Sequence, residues 1–512
     1  MPVAARSSRI LPLVFLSALV LPLTGGLSGC TVGPDHVRPV VAAPDSWTAW
    51  RSSDPSLRTA IGTQDAIPQD WWTLFEDPVL NDLEARALAA SPDLETAALH
   101  FAQARVQREG AGAAGLPQVN ARASATRQRL SENGASTRLF DVIGGADRDT
   151  LAKFLANPFT LYQGGFDAGW EPDLWGKVHR SLEAADARVA QQRALLDLAR
   201  LTVTSELARA YFQLRATQAQ IALAEEDLAV LDTRAEIVGK RVAGGLDDHT
   251  AVERERSARE ALRASLPQLR AAEGQLINAL SVLAGEHPGA LAETLARPQA
   301  GGAFIVPDLS LGMPSHVALA RPDVQAAEAN LRAATAAIGV AVADLYPSIR
   351  LGGGFNLESY RSQNLFDWAS RTWQIGPSLN LPIFDGGHRR AVVAVRKLEQ
   401  REAIVNFQKT VLAAWQEIDD ALSGYAADQQ QHAALRARLE SARRTRALVK
   451  ARYDAGAVNY LPVLDASRAV LQAERELAEN EGQLRARFAA VNKAIGNAPA
   501  GPSPHGGAAT SR

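Results

Sequence analysis

The chain has 512 residues, 46% hydrophobic but only 6% aromatic, with Lys+Arg 54 against Asp+Glu 56 and a net charge of −2. That balance lacks the basic face a nucleic-acid binder needs. One cysteine excludes a disulfide framework or a cysteine-cluster metal site, and the nine histidines show no H-E-x-x-H spacing. Abundant alanine with few aromatics suits close-packed helices better than a β-sandwich. No catalytic constellation is found, so an enzyme is not expected and no cofactor is called for.

Residues 1–29 read as a targeting segment. Arg6 and Arg9 precede an apolar stretch from Ile10 to Leu23, interrupted by Pro12 and Pro22. The stretch is too short to span a bilayer as a helix, and small residues follow it, as in a secretory signal. Leu27-Ser28-Gly29-Cys30 resembles the bacterial lipobox. The resemblance implies cleavage before Cys30 and acylation of that cysteine, with an S-diacylglycerol and an N-acyl chain, enough together for stable anchoring. An ordinary signal followed by a chance cysteine is the plain alternative. Cleavage removes two basic and no acidic residues. Thr31 stands where an aspartate would mark inner-membrane retention, which favours the outer membrane. Residues 30–77 then form a lipidated, extended N-terminal segment.

The remainder is written twice, as 78–300 and 301–497. Ser91-Pro92-Asp93-Leu94 opens a helical pattern ending at Leu116-Pro117, and Arg321-Pro322-Asp323-Val324 opens one ending at Tyr346-Pro347. Proline just inside a helix start is favoured, because its missing N–H would be unpaired there anyway. Asp173-Leu174-Trp175-Gly176 is matched by Ile383-Phe384-Asp385-Gly386, and each opens a long charged, Ala-rich run. These runs end at Gly244-Gly245 and at Gly456, spacings of 69 and 70 residues from Gly176 and Gly386. The first half has extra sequence, assigned to one enlarged loop near Leu130–Asn157.

Between the short and long helices the period changes from 3.6 to 2. Val119, Ala121, Ala123 and Ala125 alternate with Asn120, Arg122, Ser124 and Thr126, and Phe166, Ala168 and Trp170 give a weaker segment. In the second half Ile349, Leu351, Phe355 and Leu357 alternate with Arg350, Asn356 and Glu358. Trp373, Ile375, Leu379, Leu381 and Ile383 then alternate with Gln374, Ser378 and Asn380. Such strands suit a membrane barrel, greasy outside and polar inside; a soluble half-buried sheet has the same local pattern. Four strands cannot close a barrel, and lipid does not tolerate open edges. Several chains must therefore contribute, and three would supply twelve strands.

The run from Lys177 to Val242 contains no proline, and Leu207, Tyr211, Leu214, Ile221 and Leu228 follow a coiled-coil rhythm. Ile404, Phe407, Val411, Trp415, Ile418, Leu422 and Tyr425 repeat it more clearly. Each run would be roughly 100 Å long, against about 11–12 residues for a typical helix. Glycine ends them and Asp248 and Asn459 offer N-caps for returning helices. Each half thus reads as a long antiparallel hairpin, with tips near 243–249 and 454–460. A soluble coiled-coil stalk shares this pattern. The fold class expected is mainly α with a membrane β-barrel portion, internally duplicated: a coiled-coil α-barrel plus a twelve-stranded β-barrel, completed by a homotrimer with four strands per chain.

Taken together the sequence resembles the TolC-type bacterial outer membrane factors, in particular the NodT-like lipoprotein branch serving resistance–nodulation–division pumps. The resemblance covers roughly 30–497. It rests on Cys30-Thr31-Val32-Gly33-Pro34-Asp35, on Trp71-Trp72-Thr73-Leu74-Phe75 before Asp77-Pro78, on Trp170-Glu171-Pro172-Asp173-Leu174-Trp175-Gly176-Lys177, and on Arg452-Tyr453-Asp454-Ala455-Gly456 followed by Val463-Leu464-Asp465-Ala466. It implies a homotrimeric passive channel in the outer membrane, docked on a periplasmic adaptor (membrane fusion) protein and an inner-membrane pump. The rival readings are a periplasmic adaptor and a structural coiled-coil lipoprotein. At the periplasmic constriction the family places a leucine ring and an aspartate ring, matched here by Leu461 and Asp465, and a tyrosine matched by Tyr453. Leucines can gate by dewetting, and a carboxylate ring disfavours anions. Some members carry a second acid where this chain has Pro462, and others a base where it has Val458. A latch of linked salt bridges is therefore not expected. The tips Gly244-Gly245-Leu246 and Ala455-Gly456-Ala457 are the expected adaptor contacts; family tips often read Val-Gly-Leu, so Gly244 departs modestly. The tail, 498–512, lies outside the resemblance and is expected to be disordered.

Overall fold

The computed structural model describes residues 31–40, 54–57, 67–135, 138, 147–296, 305–307, 309 and 314–499. The signal segment, Cys30 and residues 500–512 of the tail lie outside them. Two compact units are present, each drawn from both halves of the sequence: one from 1–37, 105–187 and 332–402, the other from 38–104, 188–331 and 403–512.

Short helices α1 (Pro78–Ala90) and α2 (Pro92–Ala113) lead to strand β1 (Gln118–Gln128). Helix α3 (Arg148–Ala156) lies within the enlarged loop, before β2 (Phe159–Trp170). The long α4 (Lys177–Ala243) returns as α5 (His249–Leu283), followed by the single turn α6 (Ala292–Leu295). The second half runs α7 (Pro314–Ala320), α8 (Pro322–Ala343), β3 (Ser348–Ser359), β4 (Arg371–Asn380), α9 (His388–Asp454) and α10 (Leu461–Ala494). Helices α2 and α8 both have 22 residues, and α4 and α9 both have 67. Among the described residues no helix is long and apolar enough to cross a membrane.

In the first unit the four strands form one antiparallel sheet in the order β1-β2-β3-β4. Val119, Ala168, Gly353 and Ile375 align across it as one row, and Ala121, Phe166, Phe355 and Trp373 as another. Because side chains alternate between faces, these rows share the apolar face. The opposite face carries Asn120, Asp167, Gly354 and Gln374, and Arg122, Gly165, Asn356 and Thr372. Asp167 holds Arg122 at 3.2 Å there, and Gln163 donates to Glu358 at 2.7 Å. The weaker segment is strand β2, which starts earlier, at Phe159, because Gly164 and Gly165 carry no side chain to mark a face. One reading needs correction. β4 ends at Asn380, so Leu381 and Ile383 lie beyond it; Pro382 has no N–H for a ladder. Where strands give way to helices, Trp175 stacks on Tyr346, centroids 4.7 Å apart, and its Nε1 donates to the Pro347 carbonyl at 2.7 Å. Asp173 and Asp385 accept backbone N–H groups from the first turns of α4 and α9. The two sequence matches thus supply equivalent N-terminal caps.

The core of the second unit is aromatic. The turn Trp71–Phe75 brings Phe75 against Phe212 of α4 and Phe488 of α10, with centroids 4.7 and 5.4 Å apart, and Trp71 is fully buried. Burying such a side chain contributes about 1.5–3 kcal/mol. The Trp-Trp-Thr-Leu-Phe stretch therefore acts as a wedge joining helices from both repeats. Along α9, Phe407, Val411, Ile418, Leu422 and Tyr425 are buried, the seam read from their spacing.

Candidate functional site

Both hairpin tips end in the same backbone device. At the end of α4 the Leu246 N–H donates to the Arg241 carbonyl (2.8 Å) and the Gly245 N–H to that of Val242 (3.0 Å). At the end of α9 the Ala457 N–H donates to Arg452 and the Gly456 N–H to Tyr453, both at 2.8 Å. This is the Schellman closure, which needs a left-handed residue; Gly245 and Gly456 supply it at φ +70° and +74°. Gly244 and Ala455 precede these positions, and Leu246 is exposed. Asp248 caps α5 by accepting from the Ala251 N–H at 3.1 Å. A bond from the Thr250 hydroxyl, and then that from Ala251, hold its carboxyl below the usual carboxylate range. The residue preceding α10 is Tyr460, not Asn459, although the Asn459 side chain does accept the Leu461 N–H at 3.1 Å.

Leu461 opens α10 and is half-buried, while Asp465 stands one turn further along, on the exposed side. Tyr453 packs on Tyr460 across its own hairpin turn, centroids 5.0 Å apart.

Asp465 is not a free carboxylate. Arg234 of α4 forms a close ion pair with it and lies 2.7 Å from Glu255 of α5. Further from the tip, Asp227 of α4 is almost wholly buried between Arg468 (2.9 Å) and Arg475 (3.2 Å) of α10. Linked ion pairs thus join the first hairpin to the second within one chain. Position 458, on the second hairpin itself, is a valine and offers Asp465 no base. The base comes instead from Arg234, 231 positions away from Asp465 in sequence. Sequence reading missed Arg234 and Asp227, whose only signal was a pair of opposite charges seven residues apart on one helix. Above this ladder a cleft of about 520 Å³ opens between α4, α5 and α10, lined by Gln220, Gln268, Gln472 and Glu479. Among the described residues no group of His, Cys, Asp and Glu is arranged to hold a metal.

A strand set with one greasy and one polar face, together with two long helical hairpins closed at glycine tips, is the pattern of an outer-membrane channel of the efflux type. The chain belongs to the outer membrane efflux protein family, whose model matches residues 83–286 and 313–497. It is similar to outer membrane protein OprJ of Pseudomonas aeruginosa, with 30% identity over 94% of this chain and 95% of that one. It is also similar to cation efflux system protein CusC of Escherichia coli K12, with 28% identity over 88% and 92%. The solved outer-membrane channel OprN superposes with a TM-score of 0.78 at 29% identity, covering 91% of this chain and 99% of that one. The protein is therefore an outer membrane efflux channel component and not an enzyme.

Proposed function

We propose that the protein works as a homotrimeric, passively conducting and gated conduit. One observation carries this reading: among the described residues β1 and β4 each pair on a single side, leaving both margins of an amphipathic sheet open within one chain. Lipid does not tolerate such margins, and small membrane barrels begin at about eight strands. Three chains pairing β4 to β1 supply twelve. On this reading the apolar row with Phe166, Phe355 and Trp373 faces lipid, and the row with Arg122 and Asn356 lines the pore.

Cys30, acylated on sulfur and nitrogen, anchors the chain in the outer membrane, as in the NodT-like lipoprotein branch. The tips Gly244, Gly245, Leu246, Ala455, Gly456 and Ala457 meet the periplasmic adaptor; small residues let another helical tip approach closely. An inner-membrane pump supplies the energy and loads the small-molecule cargo. Leu461 forms the narrow apolar ring. Asp465 serves the gate through its pairing with Arg234, which holds α10 against α4, and Tyr453 stiffens the second tip by packing on Tyr460.

Mass measurement in detergent and planar-bilayer conductance test this together. The expected results are a trimer, low leak in the wild type, and raised leak in Leu461→Ala and Asp465→Ala. A stable monomer inert in lipid would overturn the trimeric conduit. A conducting trimer with unchanged leak in both variants and in the double variant would overturn the gate alone.

A further inference from the structure

We propose that Arg180, in the first turn of α4, is a built-in receptor for the segment that follows the acylated cysteine, so that the lipid anchor is a fixed brace and not a slack tether. The inference rests on acylation of Cys30 only for the identity of what is anchored; the docking itself stands on the contacts of residues 31–35.

The Arg180 side chain is 4% exposed, which is costly for a cation unless its donors are used. They are used mainly on this segment. Nε donates to the Val32 carbonyl (3.2 Å), and Nη2 to the Gly33 carbonyl (3.3 Å) and to Asp35 Oδ1 (2.7 Å). Nη1 binds Glu183 at 2.7 Å, which orients the fork. The Val32 N–H donates in turn to the Trp175 carbonyl at 3.2 Å. The approach is so close that it requires bare backbone. A methyl on Gly33, at φ +95°, would lie 2.5 Å from the Gly339 Cα, and one on Gly339 would lie 2.7 Å from the Arg180 stem. One on Gly176 would lie 2.7 Å from Thr31.

A terminal stretch with no secondary structure normally frays unless it is tied down. Here a buried guanidinium and a glycine-to-glycine contact tie it. The place is also specific. Thr31 rests on Gly176, next to Trp175, whose indole is bonded to Pro347 immediately before β3. Cys30 is one residue away, and a residue spans at most about 3.3–3.6 Å. Its acyl chains are therefore held at the helix-side end of the sheet.

Hydrogen exchange on the full-length lipidated protein in nanodiscs, read by mass spectrometry, tests this. The N-terminal peptide spanning 30–40 also reports by its mass whether Cys30 is acylated, so failure of the acylation reading is seen separately. Within this peptide the Val32 amide, which donates to the Trp175 carbonyl, is expected to exchange slowly in the wild type and at least tenfold faster in Arg180→Ala, with the hairpin peptides unchanged. Arg180→Lys should behave like Arg180→Ala, since one ammonium cannot reproduce the fork. Gly33→Ala, which alters only the docked segment and leaves every helix intact, should release it even if Arg180→Ala fails to fold. Rapid exchange in the wild type, or unchanged exchange in both Arg180→Ala and Gly33→Ala, would overturn the proposal.

Discussion

Glu84 lies fully buried in α1 among Leu80, Leu83 and Ala87, and neither carboxyl oxygen has a hydrogen-bond partner. Burial pushes its pKa well above the usual carboxylate range. An unfolded glutamate ionises near about pH 4.3. Between that pH and the raised native value the unfolded chain releases a proton that the native chain keeps, so this residue's contribution to stability falls as pH rises. Glu84→Met should therefore stabilise the protein by about 1–3 kcal/mol. The gain should widen from about pH 4 upward, read as melting temperature against pH in detergent. A gain that shrinks with rising pH would contradict the assignment. Nearby, the Tyr211 hydroxyl donates to Asp77 at 2.6 Å, while Asp77 also caps α1 through the Val79 and Leu80 N–H groups. Burial, and then the bond to Asp77, hold that phenol protonated.

At the scale of elements, ion pairs between α4 and α10 link the two hairpins beyond their shared apolar core. A partly exposed pair such as Arg234–Asp465 is worth about 0.2–1 kcal/mol, so in the proposed trimer three copies releasing together would raise the open population by up to about a hundredfold. Arg234→Ala is expected to raise bilayer leak as Asp465→Ala does, and the double variant should add little to either. Additive effects would show that the two act separately. Raising salt should increase leak in the wild type and change it less in the double variant, because screening weakens exposed pairs. The hairpins themselves were legible from heptad spacing and terminal glycines. The pairing between them was not, since it joins residues more than two hundred positions apart.

For the whole molecule, the sheet's two faces make a sharp prediction from neighbouring residues. Ile375 is on the apolar face and highly exposed within one chain, while Gln374 shares the polar face with Asp167. If the apolar face meets lipid, Ile375→Arg costs about 2–4 kcal/mol near the bilayer midplane and lowers the yield of membrane-inserted trimer. Gln374→Arg should insert normally and change only ion preference. Equal losses in both variants would show that the faces are assigned wrongly.

Sequence alone determined the duplication, the long hairpins and their glycine closures, and the four strands, β2 only over its second half. Each is written in local periodicity or in a residue type whose backbone freedom a turn requires. It named Leu461 and Asp465 by resemblance, and placed the wedge Trp71–Phe75 without saying what it splits. Only the tertiary structure decided that Asp465 is held by Arg234, that Asp227 is buried between two arginines, and that Arg180 grips Val32 and Gly33. Charges and carbonyls carry no mark of their partner in a one-dimensional pattern. Distance selects the partner, and distance exists only once the chain has folded.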